Sequence, residues 1–147
     1  MLAYFVIAFV LLLALAPLLH FRPNKRQRAL AAMREYAAVN GLLVQYRKFP
    51  ASERSIRPPE GDIIFYGLRL SPEDRRATLK AVWVMESGAW RSLGSRIPAP
   101  SALQTLPEGS VAAVVDEAGC GVFWIENGGM EQVERICESL RAWAKDL

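Results

Sequence analysis

The first part of the chain is uniformly apolar, and polar positions alternate with apolar ones only after it. Residues 1–19 contain no charged side chain. As a helix they extend roughly 28 Å, close to the ~30 Å hydrocarbon core of a bilayer. Only a helix satisfies every backbone amide of such a run inside lipid. The pattern therefore predicts a transmembrane anchor over residues 1–21.

Two other interpretations of this apolar segment stay open. A cleaved signal peptide is disfavoured because no basic residue precedes the run, and because Pro17 follows the only A-x-A site, where it obstructs cleavage. A buried helix of a water-soluble domain is disfavoured because the run has no polar face.

Residues 22–41 have a different pattern, that of a basic helix next to the anchor. Asn24 is a suitable N-cap, and Gly41 is a suitable residue just past the C-terminus. Small and apolar residues, including Met33 and Ala37, recur at helical spacing between them. We therefore expect a helix over residues 24–40.

From residue 42 onward the pattern predicts strands followed by one amphipathic helix. Apolar residues alternate with polar ones, or form short runs bounded by turn residues, in five segments, with residues 89–93 as a further short candidate; the segments are 42–49, 62–70, 78–85, 111–116 and 120–126. Residues 130–145 form the helix, and their apolar positions define one buried face. Two proline-containing loops, 50–61 and 94–109, interrupt the strands, and the second contains one short helical turn.

These elements predict an α+β fold. After the transmembrane helix we expect a small antiparallel sheet of four to five strands, packed with an N-terminal and a C-terminal helix. The predicted domains are the anchor (1–21), the basic juxtamembrane helix (22–41) and a cytoplasmic α+β domain (42–147).

Charge is distributed unevenly along the chain. Residues 22–57 hold nine basic and two acidic side chains, whereas residues 58–147 hold nine basic and thirteen acidic ones. Nucleic-acid binding is disfavoured because the distal domain is acidic. The positive-inside rule places the C-terminal domain in the cytoplasm and the N-terminus outside a bacterial inner membrane. We expect four basic side chains to contact anionic lipid head groups: Arg22, Lys25, Arg26 and Arg28.

No motif for metal or nucleotide chemistry stands out. The chain has one histidine, His20, and two cysteines, Cys120 and Cys137, which are too few and too far apart for a structural zinc site. No phosphate-binding loop of the P-loop type occurs, although Gly128-Gly129 before the last helix is a weak candidate for an anion. We expect no cofactor and no metal.

Nucleophilic and acid–base sites are equally weak. Cys120 lies between two glycines, but a small inward-facing side chain in a tight hairpin is the favoured interpretation, and both thiols are expected to be free. The adjacent carboxylates, such as Asp116 with Glu117, are sequence neighbours in turns, where carboxylates are normally solvated. Trp143 lies off the main apolar stripe of the last helix. It is a possible partner contact, with packing at the edge of the core as the alternative.

The N-terminal third resembles a known group of proteins. An apolar span, then Arg22-Pro23, then KRQRALAAMREYAAVNGLLV is similar to a group of proteobacterial single-pass inner-membrane proteins of uncharacterised function. Those proteins carry a Pro-x-[Arg/Lys]-Gln-Arg stretch and a short Ala/Arg helix, and they are superficially similar to the YajC family of translocase accessory subunits. The resemblance covers about residues 1–46 and transfers no functional residue.

The sequence favours a protein that acts by contact. We expect a membrane-tethered, non-enzymatic accessory or assembly subunit of an inner-membrane complex, with an unidentified membrane protein as partner. One alternative is a small-ligand sensor or enzyme with an unrecognised pocket. The other is a module that binds anionic lipid.

Overall fold

The computed structural model describes residues 1–20, 23–50, 61–73, 80–94 and 96–147, with side chains at all of these positions except 19 and 20. The chain divides into two compact units, Met1–Ala31 and Ala32–Leu147. The elements in chain order are α1 (Leu2–His20), α2 (Lys25–Val39), β1 (Leu42–Gln45), β2 (Ile63–Arg69), β3 (Ala81–Glu86), β4 (Ala89–Ser92), a 3-10 helix (Ser101–Thr105), β5 (Ser110–Asp116), β6 (Gly119–Ile125) and α3 (Met130–Asp146).

The predicted transmembrane anchor over residues 1–21 is contradicted. Across the described part of the chain, no helix is both long and apolar enough to cross a membrane. The single-span topology, the inner-membrane location with the N-terminus outside, and the lipid partner depended on that anchor and are corrected with it.

The predicted second helix is present as α2. The carbonyl of Asn24 accepts the first intrahelical hydrogen bond, from the N–H of Arg28 at 3.1 Å, so Asn24 occupies the N-cap position. Gly41 follows the helix with φ +83°, a conformation that L-residues with a Cβ rarely adopt. Met33 and Ala37 are the buried residues of this helix.

The α+β class holds, but the sheet has six strands rather than four to five. Its order is β1-β2-β6-β5-β3-β4, and every neighbouring pair is antiparallel. The additional strand is β4, which a two-residue turn joins to β3. Ser87 and Gly88 form this turn with φ of +52° and +80°, as the twist of a tight hairpin requires.

The strands present two different faces, because side chains alternate along a strand. The helix face packs against α3 and is buried. Four of its members, Tyr66, Trp83, Val122 and Trp124, are 0% exposed. The matching side chains of α3 are Val133, Ile136, Cys137, Leu140 and Trp143, which follow the predicted apolar stripe apart from the added tryptophan.

The 3-10 helix belongs to the same layer as α3. Its Thr105 Oγ1 lies 2.7 Å from Oγ of Ser139, and its Leu103 carbonyl accepts a hydrogen bond from Nε1 of Trp90. The loop that contains this helix is therefore fixed to both the sheet and α3.

The opposite side of the sheet is termed here the cleft face. A smaller apolar cluster occupies part of it: Phe49, Phe65, Val84, Ala112 and Phe123. The rings of Phe65 and Phe123 are 4.9 Å apart, and Phe49 packs edge-on against Phe123 at 5.8 Å. On the remainder of this face, β2 and β6 carry the glycines Gly67, Gly119 and Gly121.

Candidate binding site: a cleft and the adjoining sheet edge

A cleft of about 250 Å³ lies on the cleft face, at the end where the β5–β6 hairpin turns. β1 and the residues just after it supply Leu43, Gln45 and Arg47. The rest of the lining comes from β2 and from the hairpin. The cleft therefore joins the edge strand β1 to the centre of the sheet.

A pair of glycines lies beneath Phe65, one of the residues that line the cleft. Gly67 lies opposite Gly121 in the β2–β6 register, and the ring of Phe65 folds over both. A Cβ at position 67 would lie 2.6 Å from Cε1 of Phe65, which is well inside van der Waals contact. An aromatic ring thus fills the space that two missing side chains leave, and the neighbouring surface stays low.

Arg47 covers the other side of that ring. Its guanidinium carbon lies 4.5 Å from the ring centroid of Phe65, within the range of a cation–π interaction. Nη2 of Arg47 also lies 3.6 Å from Oδ2 of Asp116, with side-chain exposures of 43% and 32%. Such a long, partly solvated ion pair contributes at most about 1 kcal/mol. Arg47 is therefore held mainly by stacking.

Both carboxylate oxygens of Asp116 already have partners. Oδ1 accepts hydrogen bonds from the backbone N–H groups of Ala118 and Gly119, at 2.8 and 3.2 Å, and so closes the hairpin turn. Oδ2 faces Arg47. The neighbouring Glu117 pairs with Lys80 at 2.7 Å. These two carboxylates stabilise the turn and are not arranged as an acid–base pair.

Arg69 gives the cleft an excess of positive charge. It lies two residues after Gly67 on β2, lines the cleft and is exposed. Within the described residues Arg69 has no ion pair. The charged groups that line the cleft are thus two arginines and one aspartate, and both oxygens of that aspartate already have partners.

The edge strand β1 lies beside the cleft and carries no charge. It has the sequence LLVQ, with no proline, and among the described strands it pairs only with β2. Natural sheets blunt exposed edges with charges, prolines, bulges or short strands, and of these four devices the described part of β1 has only its length of four residues. The opposite edge, β4, carries Arg91, which forms an ion pair with Glu86 on β3. The two edges of the same sheet are therefore not equivalent.

A buried polar cluster lies away from the cleft and joins α2 to the sheet. The Glu126 side chain is 3% exposed; it accepts hydrogen bonds from Nε and Nη2 of Arg34, at 2.9 and 2.5 Å, and from the Tyr66 hydroxyl at 3.0 Å. The hydrogen bond to Glu126 raises the pKa of Arg34, and burial raises the pKa of Tyr66. Both groups hold their protons, so the cluster is structural.

Both thiols are free and buried, as predicted. The Cys120 side chain points to the helix face, where Sγ lies 3.8 Å from the carbonyl of Leu140. Burial raises the pKa of Cys120 to about 12 and also raises that of Cys137. A thiol that stays protonated is a poor nucleophile. The inward-facing interpretation of Cys120 is therefore the one that fits.

The predicted site residues belong to both compact units. Lys25, Arg26 and Arg28 are exposed near the start of α2, and Arg22 lies outside the described residues. Trp143 is only 1% exposed, and its ring packs edge-on against Trp83 at 5.7 Å. Of the two interpretations of Trp143, core packing is the one that fits, because the tryptophan inserts between α3 and β3.

The other candidates from the sequence are weak in the structure. At Gly128-Gly129 the N–H of Gly129 already donates to Oε1 of Gln132 at 2.7 Å, which occupies one amide that an anion would need. Across the described residues, no three histidine, cysteine or acidic side chains are grouped to hold a metal ion.

The cleft itself is what sequence reasoning missed. A signal for it exists, because Gly67 interrupts one predicted strand and Gly121 the next, and glycine inside a strand often marks a close approach of another group. The pairing of the two glycines depends on strand register.

Models of known protein families, curated proteins and solved structures give no match to this chain.

Proposed function

We propose that the protein works by contact, as an accessory or assembly factor that holds an extended segment of a protein partner along β1. The observation that carries this proposal is the outer edge of β1. This edge is uncharged, no described strand pairs with it, and it lies next to the cleft. An added strand satisfies the backbone groups of such an edge, and neighbouring pockets then select its side chains.

The β1 edge offers a preformed template. Its backbone is already fixed by four register pairs with β2, from Leu42 opposite Leu68 to Gln45 opposite Phe65. Binding therefore requires the partner segment to become ordered, but it does not require β1 to become ordered. Alternate side chains of that segment lie on the same side as Leu43 and Gln45, which both line the cleft.

The ionisable groups support contact rather than catalysis. Glu126 is bonded to Arg34 and Tyr66, Asp116 is used by the hairpin turn, and Cys120 is buried with a raised pKa. General acid–base or nucleophilic catalysis requires such groups to face a substrate. A small-molecule sensor is the second candidate, since a cleft is present. Its volume of about 250 Å³ lies below the ~300–1,000 Å³ that is usual for ligand pockets.

Site-specific photo-cross-linking of the full chain in its native cells tests the proposal. A photoreactive phenylalanine analogue replaces Gln45 on β1, and the matched control places it at Arg91 on β4; both positions are exposed edge-strand residues. We expect one discrete protein adduct from position 45 and none from position 91. Adducts that are absent from position 45, or equal at the two positions, would overturn docking along β1.

A further inference from the structure

We infer that the partner segment presents a carboxylate to the cleft. The guanidinium group of Arg69 binds this carboxylate, and Arg47 lies on its other side. This inference rests on the proposed function and specifies the chemistry of its partner. The occupant is an acidic, extended segment of a protein.

Charge complementarity is the first reason. The cleft is lined by two guanidinium groups and by a single carboxylate that is already bonded to the hairpin backbone and to Arg47. Arg69 has no ion pair among the described residues. Within the same residues, the ion pair of Arg47 is the 3.6 Å contact with Asp116. A second carboxylate would supply the missing charge-assisted hydrogen bonds, which are stronger than neutral ones.

The geometry of strand addition is the second reason. A strand paired to β1 lies two strand spacings from β2, about 9.5 Å, and its alternate side chains lie on the same side as Leu43. Arg69 is on β2, on that same face, two residues beyond the glycine opposite Leu43. A glutamate on the added strand and the arginine on β2, each extended toward the other, span this distance.

Selection from a random peptide library tests the inference without knowing the partner. The full chain is immobilised in a mild detergent, because the described side chains of α1 are apolar and exposed, and phage that display random nonapeptides are selected on it. The matched baits are Arg69→Glu and Arg96→Glu. Both positions are exposed arginines with the same change of charge, but Arg96 follows β4 at the other end of the sheet.

The wild-type bait is expected to enrich strand-forming peptides with an acidic residue at one fixed position. Arg69→Glu should replace that acid with lysine or arginine, and Arg96→Glu should leave it unchanged. For the best peptide, glutamine in place of the glutamate should weaken binding about tenfold, as expected for one charge-assisted hydrogen bond.

The contrary outcomes separate the two proposals. Enriched peptides without a fixed acid would overturn the carboxylate inference and leave docking along β1 standing, and so would an equal response to both arginine variants. No enriched peptide on any bait would overturn the proposed docking itself. Displacement of the acidic peptide by equimolar glutarate or inorganic phosphate would show that the cleft takes a free small anion, which also overturns the protein partner.

Discussion

The two faces of the sheet are packed differently, although neighbouring residues of the same strands form both. On β6, Val122 and Trp124 point to the helix face and are fully buried, whereas Gly119 and Gly121 present no side chain to the cleft face. The helix face is filled by α3 and the 3-10 helix. The cleft face uses one aromatic ring, Phe65, to cover two glycines and leaves the hairpin end of the sheet low.

This difference separates stability from recognition. A close-packed face contributes most of the free energy of folding, because each buried side chain is removed from water and makes dispersion contacts. A face with glycines and solvated arginines contributes less, but it keeps polar groups accessible to a partner. Changes on the helix face should therefore alter the free energy of unfolding, and changes at the hairpin end of the cleft face should alter binding first.

The largest effect is expected where the helix face meets α2. Glu126→Ala removes the carboxylate that binds Arg34 and Tyr66 and leaves a partly buried guanidinium and a buried hydroxyl without their partner. We expect a loss of about 3 kcal/mol in the free energy of unfolding, because one member of a buried pair is removed while 32% of the Arg34 side chain remains exposed. Urea unfolding of the full chain, followed by tryptophan fluorescence, measures this loss. The control Glu86→Ala breaks an exposed pair and should change the value by less than about 1 kcal/mol.

A direct comparison of the two faces uses one substitution at two valines. Val122 on β6 is fully buried on the helix face, and Val114 on β5 is half-buried on the cleft face, where it lines the cleft. Val122→Ala should cost about 2 kcal/mol, through lost transfer free energy and a cavity, and Val114→Ala less than about 1 kcal/mol. Equal losses in urea unfolding would mean that the two faces are packed alike.

The packing of Phe65 over the glycines gives a smaller effect and a sharper test. Gly67→Ala places a Cβ 2.6 Å from the ring, and its nearest other heavy atom, the carbonyl oxygen of Cys120, is 3.6 Å away. We expect a loss of about 1–2 kcal/mol from this overpacking. The same change in a Phe65→Leu background should cost less than about 0.5 kcal/mol, and a double-mutant cycle measures the coupling. Additive losses would show that the ring does not lie over the glycine.

The smallest effect concerns the Cys120 thiol and appears only in alkaline solution. Burial raises its pKa from 9.0 to about 12. Between these values the folded thiol keeps its proton while the unfolded one loses it, so stability falls as pH rises, by at most about 1.4 kcal/mol per pH unit. From about pH 8 to about pH 10, Cys120→Ala should lose about 1 kcal/mol less than the wild type. Identical losses in urea unfolding at the two pH values would contradict the shift.

Much of the secondary structure follows from the sequence alone. The predicted last helix, residues 130–145, is α3, and the predicted short helical turn within 94–109 is the 3-10 helix Ser101–Thr105. These predictions hold because apolar periodicity and turn residues act within a few positions of each other. The sixth strand was harder to predict, since residues 89–93 are few and their pairing with β3 depends on the turn at Ser87 and Gly88.

The candidate site was much less predictable. Gly67 and Gly121 are far apart in the chain, and only the β2–β6 register brings them together. Trp143 lies off the predicted apolar stripe yet is buried, because helical spacing describes one stripe, while the space beside Trp83 extends the buried face. A side chain that fills a gap between two elements leaves no periodic signal in either.

The sequence by itself determined where most of the described helices and strands of residues 32–147 lie, the antiparallel α+β class and the free, inward-facing thiols. Local chain geometry and the burial of apolar side chains decide these features within short segments. Only the tertiary structure decided the strand order, the burial of Trp143, the Arg34–Glu126–Tyr66 cluster and the cleft beside β1. Each of these depends on which distant strands pair and in which register, since a shift of one residue would move every side chain to the opposite face.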